Sequence, residues 1–310
     1  MKYIIGTRGS ALSIAQTNWV VNELKKNFPD LEFEIKTIKT KGDTDVRPLF
    51  AINQKGIFEK EIDRAVAQKE VDFAVHSLKD VPSELGDNLV LACVPKRESV
   101  NDVFISTNDS TLDTIESGAK VGTSSLRRAV QITRKRPDLV VKPIRGNIET
   151  RIRKINEDYD AVVLAQAGIS RLGLDVKFSK LSTDEFFPSP GQGALAIVSR
   201  SDNSETISML KKIEDENSRL AVEAERTLSN FVESGCRFPV GAYAKVTDQK
   251  LVLKVVAFSV DGKKSMTVEK TGQKNDPISL GKAVGEELVK QGVNELALNW
   301  RKTVEEWNKK

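Results

Sequence analysis

Two cysteines and one histidine in 310 residues leave little reactive sulfur or imidazole to build with. Cys93 and Cys236 make no disulfide framework and fit a reducing compartment. With His76 as the sole histidine and no Cys-x-x-Cys pair, the ligands for a transition-metal centre are missing, and no metal is expected. No apolar run is long enough to span a bilayer, so no membrane role is expected. The opening Met1-Lys2-Tyr3-Ile4-Ile5-Gly6 enters a strand without the charged leader and apolar stretch of a secretory signal, which predicts a cytoplasmic protein. Aromatic residues make up only 6%, and Lys+Arg exceed Asp+Glu by only 48 to 44. Neither figure by itself calls for nucleic acid. What remains, 39% hydrophobic and 30% charged residues, is the composition of an ordinary globular chain long enough for two or three domains.

Strand and helix patterns alternate from the start. Tyr3 to Gly6 reads as a strand, and Ser10 caps a helix running to about Asn27 with Ala11, Ile14, Ala15 and Trp19 at helical spacing. Leu31 to Thr40 reads as a strand and Thr40 to Asp45 as a polar loop. A helix opens near Lys55, with Phe58, Ile62, Ala65 and Val66 as its buried stripe. Two short apolar runs follow, one ending in His76-Ser77-Leu78-Lys79-Asp80-Val81-Pro82 and one at Leu89 to Val94, where Cys93 reads as a core residue. After the charged linker Pro95 to Ser99, a second alternating block begins at Asp102. Its segment Lys120-Val121-Gly122-Thr123-Ser124-Ser125-Leu126-Arg127-Arg128 echoes the strand, Gly-Thr, serine, arginine and helix order of the amino terminus. Pro188-Ser189-Pro190-Gly191-Gln192-Gly193-Ala194 superficially resembles a dinucleotide fingerprint. Prolines precede it where a strand is needed and a strand follows where a helix is needed, so it reads as a hinge returning the chain to the first block. Beyond a helix over Asn217 to Val232 come strands and then a helix, the order of a small α+β domain. The prediction is α/β: two lobes with mixed, mostly parallel sheets and a small α+β third domain. The boundaries are 1–97 with 195–214, 98–194, and 215–310.

Chemistry gathers at the predicted strand ends, where open α/β sheets bind ligands. Asp80 and Lys79 sit at one such end, and a solvated Lys-Asp pair on a surface turn is the bland alternative. Arg8 lies at another, beside the amino terminus of a helix, where backbone N–H groups favour an anion. Arg127, Arg128, Arg145 and Arg171 follow three further strand ends, with Arg151 about one helical turn beyond the third arginine. Arginine's planar fork matches carboxylates or phosphates, so a ligand with several anionic groups is expected. Arg134, Arg136 and Arg153 read as solvated surface. Cys236, on a glycine-flanked loop, is either incidental or chemically used.

The motifs resemble one family, porphobilinogen deaminase, also called hydroxymethylbilane synthase. They are Thr7-Arg8-Gly9-Ser10, Ala74 to Pro82, Val121 to Arg128, Ile144-Arg145-Gly146-Asn147, Arg171-Leu172-Gly173, Pro190 to Ala194 and Gly235-Cys236, in order along the chain. The resemblance implies two lobes like type II periplasmic binding proteins with the active site between them. It implies a dipyrromethane cofactor attached to Cys236 through a thioether. It further implies a transferase of tetrapyrrole (haem) biosynthesis, acting as a monomer, that deaminates four porphobilinogen molecules and joins them head to tail into hydroxymethylbilane. Asp80 matches the catalytic aspartate, which steadies a cationic azafulvene. Ser77, Lys79, Ser125, Arg127, Arg128, Arg145 and Gly146 match cofactor-binding positions. Arg8, Ser10, Lys55, Phe58, Arg145, Arg151, Arg171 and Gln192 match substrate-binding positions. Porphobilinogen carries an acetate and a propionate, which accounts for the arginines. Two departures stand out: Arg237-Phe238 after the cysteine, and a tail beyond Asn294, with Trp300 and Trp307, for which the resemblance offers no counterpart. The rival readings are a non-catalytic two-lobe binder of a polycarboxylate and, with less in its favour, a nucleic-acid binder.

Overall fold

A computed structural model describes residues 2–44, 59–232 and 239–296. These residues gather into two compact units. The first holds the described residues up to Thr44, those from Glu59 to Glu98, and Gly193–Arg219; the second holds Ser99–Gln192 and the described residues from Leu220 onward.

The first unit is built on strands β1 (Lys2–Thr7), β2 (Glu32–Thr37), β3 (Phe73–Ser77), β4 (Leu89–Cys93) and the late-arriving β10 (Leu195–Arg200), in the order β2-β1-β3-β10-β4. β1 runs parallel to β2 and β3, while β10 is antiparallel to both β3 and β4. Helix α1 (Ala11–Asn27) starts as expected at Ser10, whose side chain accepts from the Ser13 N–H. That contact satisfies one of the orphan donors of the first turn. The expected loop after Thr40 is instead a single helical turn, α2 (Lys41–Thr44). Helix α3 (Lys60–Ala67) buries Ile62, Ala65 and Val66; Lys55 and Phe58, expected at its start, lie outside the described residues. Ile5, Leu24, Phe73 and Ile197 are fully buried in the core of this unit.

The second unit repeats the plan. Strands β5 (Asp102–Ser106), β6 (Lys120–Gly122), β7 (Val140–Lys142), β8 (Ala161–Ala165) and β9 (Ser179–Lys180) are ordered β7-β6-β8-β5-β9. β6 is parallel to β7 and β8, and β5 is antiparallel to β8 and β9. Helices α4 (Leu126–Lys135), α5 (Ile148–Arg153) and α6 (Gln166–Leu172) follow β6, β7 and β8. The echo between Thr7–Ser10 and Thr123–Arg128 therefore marks equivalent strand-to-helix turns. Each five-stranded sheet has two parallel and two antiparallel pairings, a more even mixture than strand-helix alternation alone indicates. The central strands β3 and β8 are buried along nearly their whole length, which is why they read as continuous apolar runs.

Past α7 (Ser204–Leu210) and α8 (Glu216–Phe231), the chain forms an antiparallel sheet β11 (Val240–Thr247), β12 (Lys250–Phe258), β13 (Ser265–Gln273), then α9 (Pro277–Lys290) and α10 (Val293–Leu296). Asp276 caps α9 and Pro277 occupies its first position, a favourable start because that N–H has no helical partner. Leu228, Leu253, Val255, Val284 and Leu288 close this core. Gly241 permits a close approach here: a Cβ at this position would stand 2.4 Å from the Phe187 Cβ.

Candidate active site

In the first unit the parallel strands β1 and β3 end at the same edge of the sheet, so Arg8 and Ser77–Asp80 leave the sheet side by side. The turn after β3 is one 3-10 turn, Leu78–Asp80. It is pinned at both ends, since Leu78 N–H donates to the Ala194 carbonyl at 3.0 Å and Val81 N–H to the Leu78 carbonyl at 3.0 Å. Leu78 is buried beneath the turn, while Ser77, Lys79 and Asp80 are half-buried. The Ser77 hydroxyl accepts from Gln16 Nε2 at 2.8 Å. Gln16 is buried on α1 beside Thr17; it was not among the expected site residues. Ser10 is engaged in capping and donates to Ser13 Oγ at 2.8 Å. His76 faces the other way. Its Nε2 lies 3.0 Å from Asp63 Oδ1 on α3, and the ring is only 4% exposed. The chain's one histidine thus ties a helix to the strand beneath the turn.

In the second unit the parallel strands β6, β7 and β8 deliver Thr123–Arg128, Pro143–Asn147 and Gln166–Arg171 to one edge. Because β5 runs the other way, its first residue, Asp102, lies at that edge too, opposite Ala165. Asp102 is wholly buried, and sequence patterning did not single it out. Its Oδ2 accepts from Arg127 at 2.8 Å, and its Oδ1 accepts from Arg128 at 2.7 and 3.1 Å and from Gln192 Nε2 at 2.8 Å. Burial by itself would raise the Asp102 pKa. The two guanidinium charges and the hydrogen bonds from Arg128 and Gln192 outweigh it and hold the carboxyl far below its ordinary range.

Three of the expected binding residues meet in this cluster. Arg127 and Arg128, expected at the cofactor, are 5% and 6% exposed and engage Asp102. Arg127 also donates to the Phe187 carbonyl and Arg128 to the Val163 carbonyl at 3.2 Å. Gln192, expected at the substrate, is buried, and its amide donates to the Val100 carbonyl at 2.7 Å as well as to Asp102. All three side chains are turned inward because a buried carboxylate needs several donors.

The remaining members of the edge are more open. Ser125, Arg145, Arg151 and Arg171 are half-buried, and Gly146 is exposed. Gly146 has φ +115°, and a Cβ there would meet Thr150 at 2.7 Å; its carbonyl accepts from Arg151 Nε at 2.7 Å. Arg145, Arg151 and Arg171 thus stand half-buried at the same edge as the buried pair Arg127 and Arg128; a planar guanidinium matches a carboxylate. Cys236 lies outside the described residues, as do Arg237 and Phe238. Among the described residues no cluster of ligands could hold a metal ion, and no helix is long and apolar enough to cross a membrane.

Comparison with known proteins shows the family. A family model described as "Porphobilinogen deaminase, dipyromethane cofactor binding domain" matches residues 3–208, and one described as "Porphobilinogen deaminase, C-terminal domain" matches residues 219–290. The chain is similar to a probable porphobilinogen deaminase of Nitrosopumilus maritimus, 73% identical over 310 residues and covering 100% of both chains. The tail beyond Asn294 therefore has a counterpart, contrary to expectation. A porphobilinogen deaminase of Brevibacillus brevis is 46% identical over 300 residues, 95% of this chain and 96% of that one. Among solved structures, an arginine-specific periplasmic binding protein of Salmonella typhimurium is similar at 15% identity, covering 70% of this chain and 93% of that one with a TM-score of 0.40.

Proposed function

Because the chain belongs to the porphobilinogen deaminase family, a family of transferases in tetrapyrrole synthesis, we propose a division of labour among its own residues. The match to the family's cofactor-binding domain carries this reading. Asp80, held on a pinned turn at a strand end, serves as the catalytic carboxylate. Its negative charge steadies the positive charge that develops on a porphobilinogen pyrrole as ammonia leaves, and it accepts or returns a proton at its carboxylate oxygens. Lys79 and Ser77, on the same turn, bind cofactor side arms, Ser77 with its hydroxyl oriented by Gln16. Ser125, Arg145 and Gly146 bind the cofactor at the edge of the second unit. Arg127 and Arg128 serve the cofactor there too, and Gln192 is assigned to substrate by the family motif alone. Arg8, Arg145, Arg151 and Arg171 grip substrate carboxylates, with Ser10 holding the helix start beside Arg8. Lys55 and Phe58 are assigned to substrate by the family motif alone.

Cys236 is the attachment point of the dipyrromethane group, which when bound supplies the pyrrole carbon to which the first porphobilinogen is joined. The domain limits are 1–97 with 195–214, 98–194, and 215–310. The enzyme works as a cytoplasmic monomer without nucleic acid.

Intact-mass measurement tests this. The chain should carry two pyrrole units, lose them in Cys236→Ser, and release hydroxymethylbilane when given porphobilinogen. A chain at its bare sequence mass that only binds porphobilinogen would refute the reading.

A further inference from the structure

Asp102 occupies a place for which the family reading supplies no task. It is wholly buried, and among the described residues it is the only acid paired with Arg127 or Arg128. Each of its oxygens serves a different arginine: Oδ2 takes Arg127, and Oδ1 takes Arg128 through both Nε and a terminal nitrogen. The second anchor of each guanidinium is a backbone carbonyl, Phe187 for Arg127 and Val163 for Arg128. Gln131, buried one helical turn past Arg127, bonds the Phe187 N–H at 2.7 Å and the Phe187 carbonyl at 3.1 Å, fixing the carbonyl that Arg127 meets. Both planar groups are therefore held against a carboxylate and a fixed carbonyl.

The charges do not balance. Two cations share one anion, leaving one net positive charge where water is nearly excluded, a costly state unless an anion from outside completes it. The cluster stands at the same sheet edge as Arg145 and Arg171.

We propose that Asp102 is a positioning residue that sets the orientation of Arg127 and Arg128, so that their one unbalanced positive charge receives a carboxylate of the pyrrole cofactor or growing chain. This rests on the family reading above and assigns Asp102 no contact with the ligand. A merely neutralising acid could be replaced by any carboxylate. A positioning one could not, because one added methylene shifts both guanidinium groups, and a displacement of about 1 Å can cost on the order of a hundredfold in a binding or reacting geometry.

The test uses apo chain made in cells unable to form porphobilinogen. Porphobilinogen is then added and the two-pyrrole adduct followed by intact mass, alongside thermal unfolding. Asp102→Glu, which keeps the charge, should melt near the parental chain yet acquire the adduct at least tenfold more slowly. Its KM for porphobilinogen should rise more than its kcat falls. Asp102→Asn, where folded, should load more slowly still. Parental loading rates in Asp102→Glu would overturn the proposal, leaving Asp102 as a neutralising charge only. A parental chain that never acquires the adduct would overturn the family reading and this inference together.

Discussion

At Asp80 and Asp102 the same functional group has different surroundings, and a different role is proposed for each. Asp80 is half-buried on a short turn at a sheet edge, open to a ligand. Replacing it with Asn keeps the shape and removes the charge. Turnover should fall by about a hundredfold or more, the usual worth of a positioned acid-base group, while adduct mass and melting temperature stay at parental values. Retained turnover would remove the catalytic role. Asp102 is closed in by two arginines and an amide. Asp102→Asn leaves two like charges packed together without their counter-ion, and should cost about 3–5 kcal/mol in urea unfolding. The pH dependence follows from the depressed carboxyl pKa. Its stabilising contribution is complete above the ordinary value of 3.8 and is lost as pH falls from there toward the folded-state value. Unfolding curves from pH 7 to pH 3 should show a steeper acid loss in the parental chain than in the Asn variant.

Among the elements, the turns after the strands matter more than the strands. The segment after β7 turns through Gly146 at φ +115°, a backbone region closed to side-chain-bearing residues, with Thr150 packed where a Cβ would go. Gly146→Ala should therefore cost about 1–3 kcal/mol and disturb Arg145 and Arg151 on either side, seen as slower adduct formation together with a lower melting temperature. Helix starts and strand runs were legible because they obey local rules: Ser10 capping α1, the buried runs of β3 and β8. The short helix α2 was not, since a four-residue turn carries no periodicity. The inward turn of Arg127, Arg128 and Gln192 escaped notice for a different reason. Residue type announces that an arginine wants an anion, but not whether the anion belongs to the ligand or to the protein.

Across the whole molecule, the chain leaves the first unit after Glu98 and re-enters it at Gly193. The returning strand β10 lies between β3 and β4, and among the described residues β4 has no other strand partner. A fragment ending at Glu98 would thus expose the edge of β3 and leave β4 unpaired. Such a fragment should show no cooperative thermal transition by circular dichroism; a sharp one would mean that this sheet does not need its late strand.

The order of elements, the caps and the motif set that names the family were written in the sequence, because each depends on residues within a few positions of one another or on a pattern read in order. The partnership of Asp102 with two arginines and a glutamine was decided only in three dimensions. It joins the start of β5, the first turn of α4 and a loop ninety positions away in the chain. A lone aspartate at the start of an apolar run looks the same on the page whether it meets water or closes a buried cluster. Burial and distance tell them apart, and both belong to the folded chain.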